Sequence, residues 1–143
     1  MQELPIEFFT EEVDFEVKNE TKVKEWLFEI ISEYSFEVES LNYIFCSDEY
    51  LHQMNVEYLD HDTLTDVITF DNSDIEGVIE GDVFISIDRI VDNATTFNTP
   101  IEKELHRVMA HGLLHLLGFD DKTPEKQAIM QSKEEECLAL IKF

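Results

Sequence analysis

Residues 108–117 of this chain read Val-Met-Ala-His-Gly-Leu-Leu-His-Leu-Leu, which on a helix is apolar over nearly every face. Such a helix cannot lie on a surface. Other elements must sheath it, so the fold has to be built around it. Thr99-Pro100-Ile101-Glu102 reads as a capping box with Pro at the first helical position, which starts the helix at Pro100 and runs it to Leu117. Its first turns carry Glu102, Lys103, Glu104, His106 and Arg107 and are expected to meet solvent. Gly118 is the residue type that ends a helix in a left-handed turn.

Two histidines inside that apolar stretch need partners. Residues four apart on a helix are separated by about 40° around the axis and about 6 Å along it, so His111 and His115 can converge on one ion. The turn at Gly118 then brings the chain back so that Asp121 can supply a third ligand. The spacing H-x3-H-x2-G-x2-ligand is the metzincin arrangement, with three protein ligands and one open position. Asp120 is the adjacent alternative, or else it orients a ligand or caps the next helix. Gly112 stands where metalloproteases place the Glu of H-E-x-x-H, so peptide hydrolysis lacks its usual base. A mid-helix Gly costs about 1 kcal/mol against Ala and implies close approach of a neighbouring backbone. Arg107, one turn before His111, reads either as a bidentate phosphate contact or as a surface partner of Glu104. His106 lies about 140° from His111 around the axis and cannot share its ion.

The rest of the chain reads as one domain over residues 1–143. Strands are expected at 6–9, 41–46, 67–70 and 82–86, the last two flanking a turn-rich segment at 71–81. Helices are expected at 22–34, from a Ser47 cap to about residue 58, at about 87–96, and after a Thr123-Pro124 cap. Ile129, Met130, Cys137 and Ile141 are the candidate packing residues of the last helix. Four strands and about five helices in mixed order give an α/β or α+β layer. Cys46 and Cys137 read as buried free thiols. No segment approaches the roughly 18 apolar residues of a membrane span and the first residues resemble no signal peptide, so a cytosolic protein is expected. His52 and His61 read as surface histidines.

Charge is unevenly spread. Residues 1–82 hold 23 acidic side chains against Lys18, Lys22 and Lys24, whereas residues 83–143 hold 10 against 7 basic ones. A nucleic-acid contact would have to draw on Lys103, Arg107, Lys122, Lys126 and Lys133. Otherwise the acidity serves solubility alone.

The segment from His111 to Asp121 resembles the signature H-G-x-L-H-L-x-G-[YF]-D-H of the YbeY family of ribosomal-RNA maturation endoribonucleases. It departs only at the last position, where Asp121 replaces histidine. Asn55-x-x-Tyr58 with Thr65-Asp66-Val67-Ile68-Thr69-Phe70, and Gly81-Asp82-Val83-Phe84-Ile85-Ser86, resemble two further blocks of that family in family order. Leu59 stands where the family usually has Arg, and Asp71 where it usually has Pro. The resemblance implies a four-stranded mixed sheet with the motif helix central to it. It also implies one zinc ion on His111, His115 and Asp121, and single-strand endoribonuclease activity in small-subunit rRNA processing, with ribosomal RNA and the small subunit as partners. Asp66 and Asp82 match family positions as neighbours of the site. A metallopeptidase or other metal-dependent hydrolase, and a ribosome-associated factor with a structural metal, are the alternatives.

Overall fold

The computed structural model describes residues 4–59 and 65–143. His61 and the side chain of Leu59 therefore lie outside the described part. The elements run β1 (Ile6–Glu11), α1 (Glu20–Glu33), β2 (Glu37–Cys46), α2 (Asp48–Leu59), β3 (Val67–Asp71), β4 (Val78–Ser86), α3 (Ile87–Thr96), α4 (Ile101–Leu116) and α5 (Pro124–Ala139). The four strands form one sheet in the order β1-β2-β4-β3. β1 with β2 and β2 with β4 are parallel, and β3 is antiparallel to β4, so the sheet is mixed as expected. No helix among the described residues is long and apolar enough to cross a membrane.

Strand alternation sends Leu41, Tyr43 and Phe45 of β2 and Gly81, Val83 and Ile85 of β4 to one face, because these pairs share register. That face carries the main core, with Val23, Trp26, Leu27, Ile30 and Ile31 of α1 and Val108, Met109, Ala110, Leu113 and Leu114 of α4 all buried. The apolar half of α4 is thus sheathed, as its composition requires. Tyr43 donates its hydroxyl proton to the Met109 carbonyl at 2.9 Å, and the Trp26 indole donates to the Cys137 carbonyl at 2.8 Å, which ties α4 to the sheet and α5 to α1. The opposite face packs Cys46, Leu51 and Ile68 under α2. Both cysteines are buried and unbridged. Burial pushes the Cys46 thiol up to about 12 and the Cys137 thiol up to about 11, which removes thiolate reactivity at neutral pH.

Several local expectations are corrected. β2 begins at Glu37 and β4 at Val78, each four residues early, because Glu37–Leu41 and Val78–Gly81 pair with each other. Neither segment carries a strong strand pattern alone. At α4 the capping box does not form: Pro100 is itself the N-cap, extended at ψ 144°, with no side-chain cap. Glu102 pairs instead with Lys18 at 3.1 Å. The caps at Ser47 and Thr123 do form, accepting from the N–H groups of Tyr50 and Lys126 at 3.1 Å each. In α5 the buried stripe is Met130, Glu134 and Cys137, while Ile129, one position round the helix, is half exposed.

His106 is half-buried between the rings of Trp26 and Phe143, at centroid distances of 5.6 and 5.5 Å. Burial holds its pKa below the ordinary 6.5, against an opposing pull from Glu102. A depressed pKa means the folded state prefers the neutral ring, so the stability it contributes is present above pH 6.5 and lost as the pH falls through the folded value. Denaturation followed by the fluorescence of Trp26, the single tryptophan, should therefore show wild type losing more stability between pH 7.5 and 5 than His106→Leu. Parallel curves would mean His106 does not titrate against this packing.

Candidate metal centre

The exit of α4 is built as a Schellman turn. Phe119 N–H donates to the Leu114 carbonyl at 3.0 Å and Gly118 N–H to the His115 carbonyl at 3.1 Å, with Gly118 at φ +106°. Phe119 anchors the turn by packing edge-on against Tyr34, the C-cap of α1, 5.6 Å between centroids. This reversal carries Asp121 back over the last turn of the helix. Gly112 lets α4 lie close to the sheet: a Cβ there would meet Val83 Cγ1 at 2.6 Å. The close neighbour is thus a side chain, not the backbone expected.

His111, His115 and Asp121 come together. His111 Nε2 and His115 Nε2 are 3.0 Å apart, and Asp121 Oδ2 lies 3.5 and 3.9 Å from them. Donors on a tetrahedral ion with bonds of about 2.0–2.2 Å are separated by roughly 3.3–3.6 Å. The triangle brackets that range, and its nitrogen and carboxylate donors are accepted zinc-class ligands, so the three residues fit a metal. The side chains are 17%, 26% and 43% exposed in that order, so the cluster opens toward solvent on the Asp121 side. Burial, and then the neighbouring His111, lower the His115 pKa against the pull of Asp121 and a hydrogen bond with the Phe119 backbone. A low pKa keeps a ligand lone pair available near neutrality.

Asp120 turns away. Its carboxylate accepts from Lys122 N–H and from Lys126 Nζ, both at 3.1 Å, and these contacts lower its pKa. Of the two adjacent acids, Asp121 is the one that faces the imidazoles. Arg107 is paired with carboxylates: Nε and Nη2 donate to Glu104 at 2.9 and 2.6 Å, and Nη1 to Glu134 at 3.0 Å. The pairing with Glu104, the alternative to a phosphate contact, is thus what the fold contains. Glu104 itself is buried, contrary to the solvent exposure expected of the first turns, because α5 docks there and Arg107 compensates its charge. Asp66 accepts from Asn93 at 3.4 Å, and Asp82 lies on the sheet face away from α4, held by Asn42 and Asn72 at 3.0 and 3.3 Å. Neither joins the cluster.

Sequence reasoning missed Glu134. Its Oε2 lies 2.6 Å from His111 Nδ1, and its side chain is 4% exposed. Burial alone would raise its pKa, but hydrogen bonds with His111 and Arg107 outweigh this and hold it below the ordinary carboxylate value. A signal was present, because an acid on the stripe formed by Met130 and Cys137 must find a partner when the stripe is buried. Nothing local in the sequence says which partner.

A small mixed α/β layer with a His-His-Asp cluster at the exit of its central helix defines an α/β domain whose cluster could hold a metal ion. Comparison with known proteins places it further. The family model described as Endoribonuclease YbeY matches residues 6–142. A Cytophaga hutchinsonii protein named Endoribonuclease YbeY is 50% identical over 143 residues, 100% of both chains. A Flavobacterium johnsoniae protein of the same name is 47% identical over 132 residues, 92% of this chain and 94% of that one. The solution structure of a Thermotoga maritima protein superposes with a TM-score of 0.65 at 27% identity, covering 95% of this chain and 88% of its own. The chain belongs to the YbeY family.

Proposed function

We infer that this protein is a metal-dependent, single-strand-specific endoribonuclease acting in ribosomal-RNA maturation and ribosome quality control, with small-subunit rRNA 3′ ends as its substrate. One domain over residues 1–143 carries the activity, in the cytoplasm, with the small ribosomal subunit as partner. One zinc ion is held by His111, His115 and Asp121. The observation that carries the reading is the convergence of these three donors in a chain half identical, end to end, to a protein named as an endoribonuclease.

When bound, a zinc-class ion lowers the pKa of water toward about 7 and polarises a phosphoryl oxygen, which suits phosphodiester cleavage. The chain's own residues do the rest. His111 and His115 present Nε2 from a helix locked by the core, and Asp121 closes the set from the solvent side. Lys122 follows Asp121 directly and supplies positive charge beside the site for an RNA phosphate, while Lys126 is paired with Asp120. Gly112 leaves no carboxylate at the position where zinc peptidases hold their base, so peptide cleavage is not favoured.

Nuclease-free protein incubated with a short single-stranded RNA should cut it internally, spare the matching duplex and a generic peptide, and stop when the metal is chelated. Zinc readdition should restore cutting. Cleavage of the peptide instead, or no RNA cleavage by the zinc-loaded protein, would overturn the reading.

A further inference from the structure

We propose that Glu134, braced by Arg107 and through it by Glu104, is a positioning residue that fixes the ring orientation and tautomer of His111. The assignment rests on the metal-site reading above and extends it to three residues that do not touch the ion. An ionised carboxylate can only accept, so at 2.6 Å the proton between Glu134 Oε2 and His111 Nδ1 sits on the ring, which makes Nε2 the lone-pair nitrogen of the neutral ring. That Nε2 is the atom facing His115 and Asp121.

Glu134 could not hold this geometry alone. Its second oxygen accepts from Arg107 Nη1 at 3.0 Å, and the other edge of the same guanidinium is gripped by both oxygens of Glu104. Glu104 and Glu134 are 2% and 4% exposed, so neither can relax into water. The strut spans α4 and α5, and it sets the helix that carries the histidines at a fixed distance from the helix that orients one of them. The formal charges support a ligand at its end: Glu104, Glu134 and Asp121 carry three negative charges and Arg107 one positive. A divalent cation brings the group to neutrality; without it one negative charge in excess stays on the buried Glu104 and Glu134, beside the more exposed Asp121. Carboxylates placed behind metal-bound histidines hold ring and tautomer in this way, and their loss typically lowers metal affinity 10–100-fold.

The test uses the full chain with labelled histidine, first metal-free. Long-range nitrogen–proton spectra near neutral pH should show His111 with its proton on Nδ1 in wild type and in Glu134→Gln, which retains an acceptor oxygen. In Glu134→Ala the proton should move toward Nε2. Zinc affinity, measured by competition with a chromophoric chelator, should fall about 10–100-fold in Glu134→Ala, with a smaller loss in Glu134→Gln. Arg107→Lys keeps the charge but not the two-edged fork, and should weaken zinc as well. Should Glu134→Ala not fold, Glu134→Gln and Arg107→Lys decide through affinity. An unchanged His111 tautomer in Glu134→Ala, or wild-type zinc affinity in that variant or in both conservative ones, would overturn the proposal. If wild type takes up no zinc while the tautomer still shifts, the metal reading fails and the positioning role stands.

Discussion

His111→Ala and His115→Ala will each take the protein from about one zinc-class ion per chain to none under gentle purification, and RNA cleavage will fall to background with the ion. Each substitution removes one of three protein donors, a larger loss than the 10–100-fold typical of an outer partner. The two variants will differ in the metal-free protein. His111→Ala leaves Glu134 Oε2 buried without its imidazole partner, an unsatisfied acceptor that costs about 1–3 kcal/mol. Among the described residues His115 has no such buried carboxylate behind it, and its removal relieves a desolvated ring. Elemental analysis reads the first effect and chemical denaturation after chelation the second. Metal retained in both variants would remove the site, and equal metal-free stabilities would mean His111 and Glu134 do not depend on one another.

Asp121→Ala will lose zinc and cleavage, whereas Asp120→Ala will keep both. The two acids are neighbours in sequence, but one lies 3.5 and 3.9 Å from the imidazoles and the other is held by Lys122 and Lys126. Asp121→His supplies a neutral donor in place of an anionic one. A site one unit more positive acidifies bound water further, so the rising limb of activity should move to lower pH. Metal titration of the two alanine variants is the decisive comparison. Tight zinc binding by Asp121→Ala together with its loss in Asp120→Ala would reverse the assignment.

The sequence by itself determined the parts of this protein that depend on local periodicity and turn chemistry. The all-round apolar half of α4 dictated a central, sheathed helix. The four-residue spacing of His111 and His115 dictated a shared direction, and Gly118 dictated the reversal that returns Asp121 to them. The caps at Ser47 and Thr123 were legible because each serves its own helix. Tertiary structure decided whatever needed a distant partner. The early halves of β2 and β4 are strands because each supplies the other's hydrogen bonds across some forty residues. Thr99 lost its capping role because Pro100 took an extended conformation. The tertiary fold also separated Asp120 from Asp121, which local spacing left as alternatives. Above all, docking of α5 on α4 joined Glu104, Arg107 and Glu134 into a strut behind His111 in which both carboxylates are buried. A charged residue on a helix carries no local mark of burial, and its partner is set only when two helices far apart in the chain pack together, because desolvation makes pairing obligatory there.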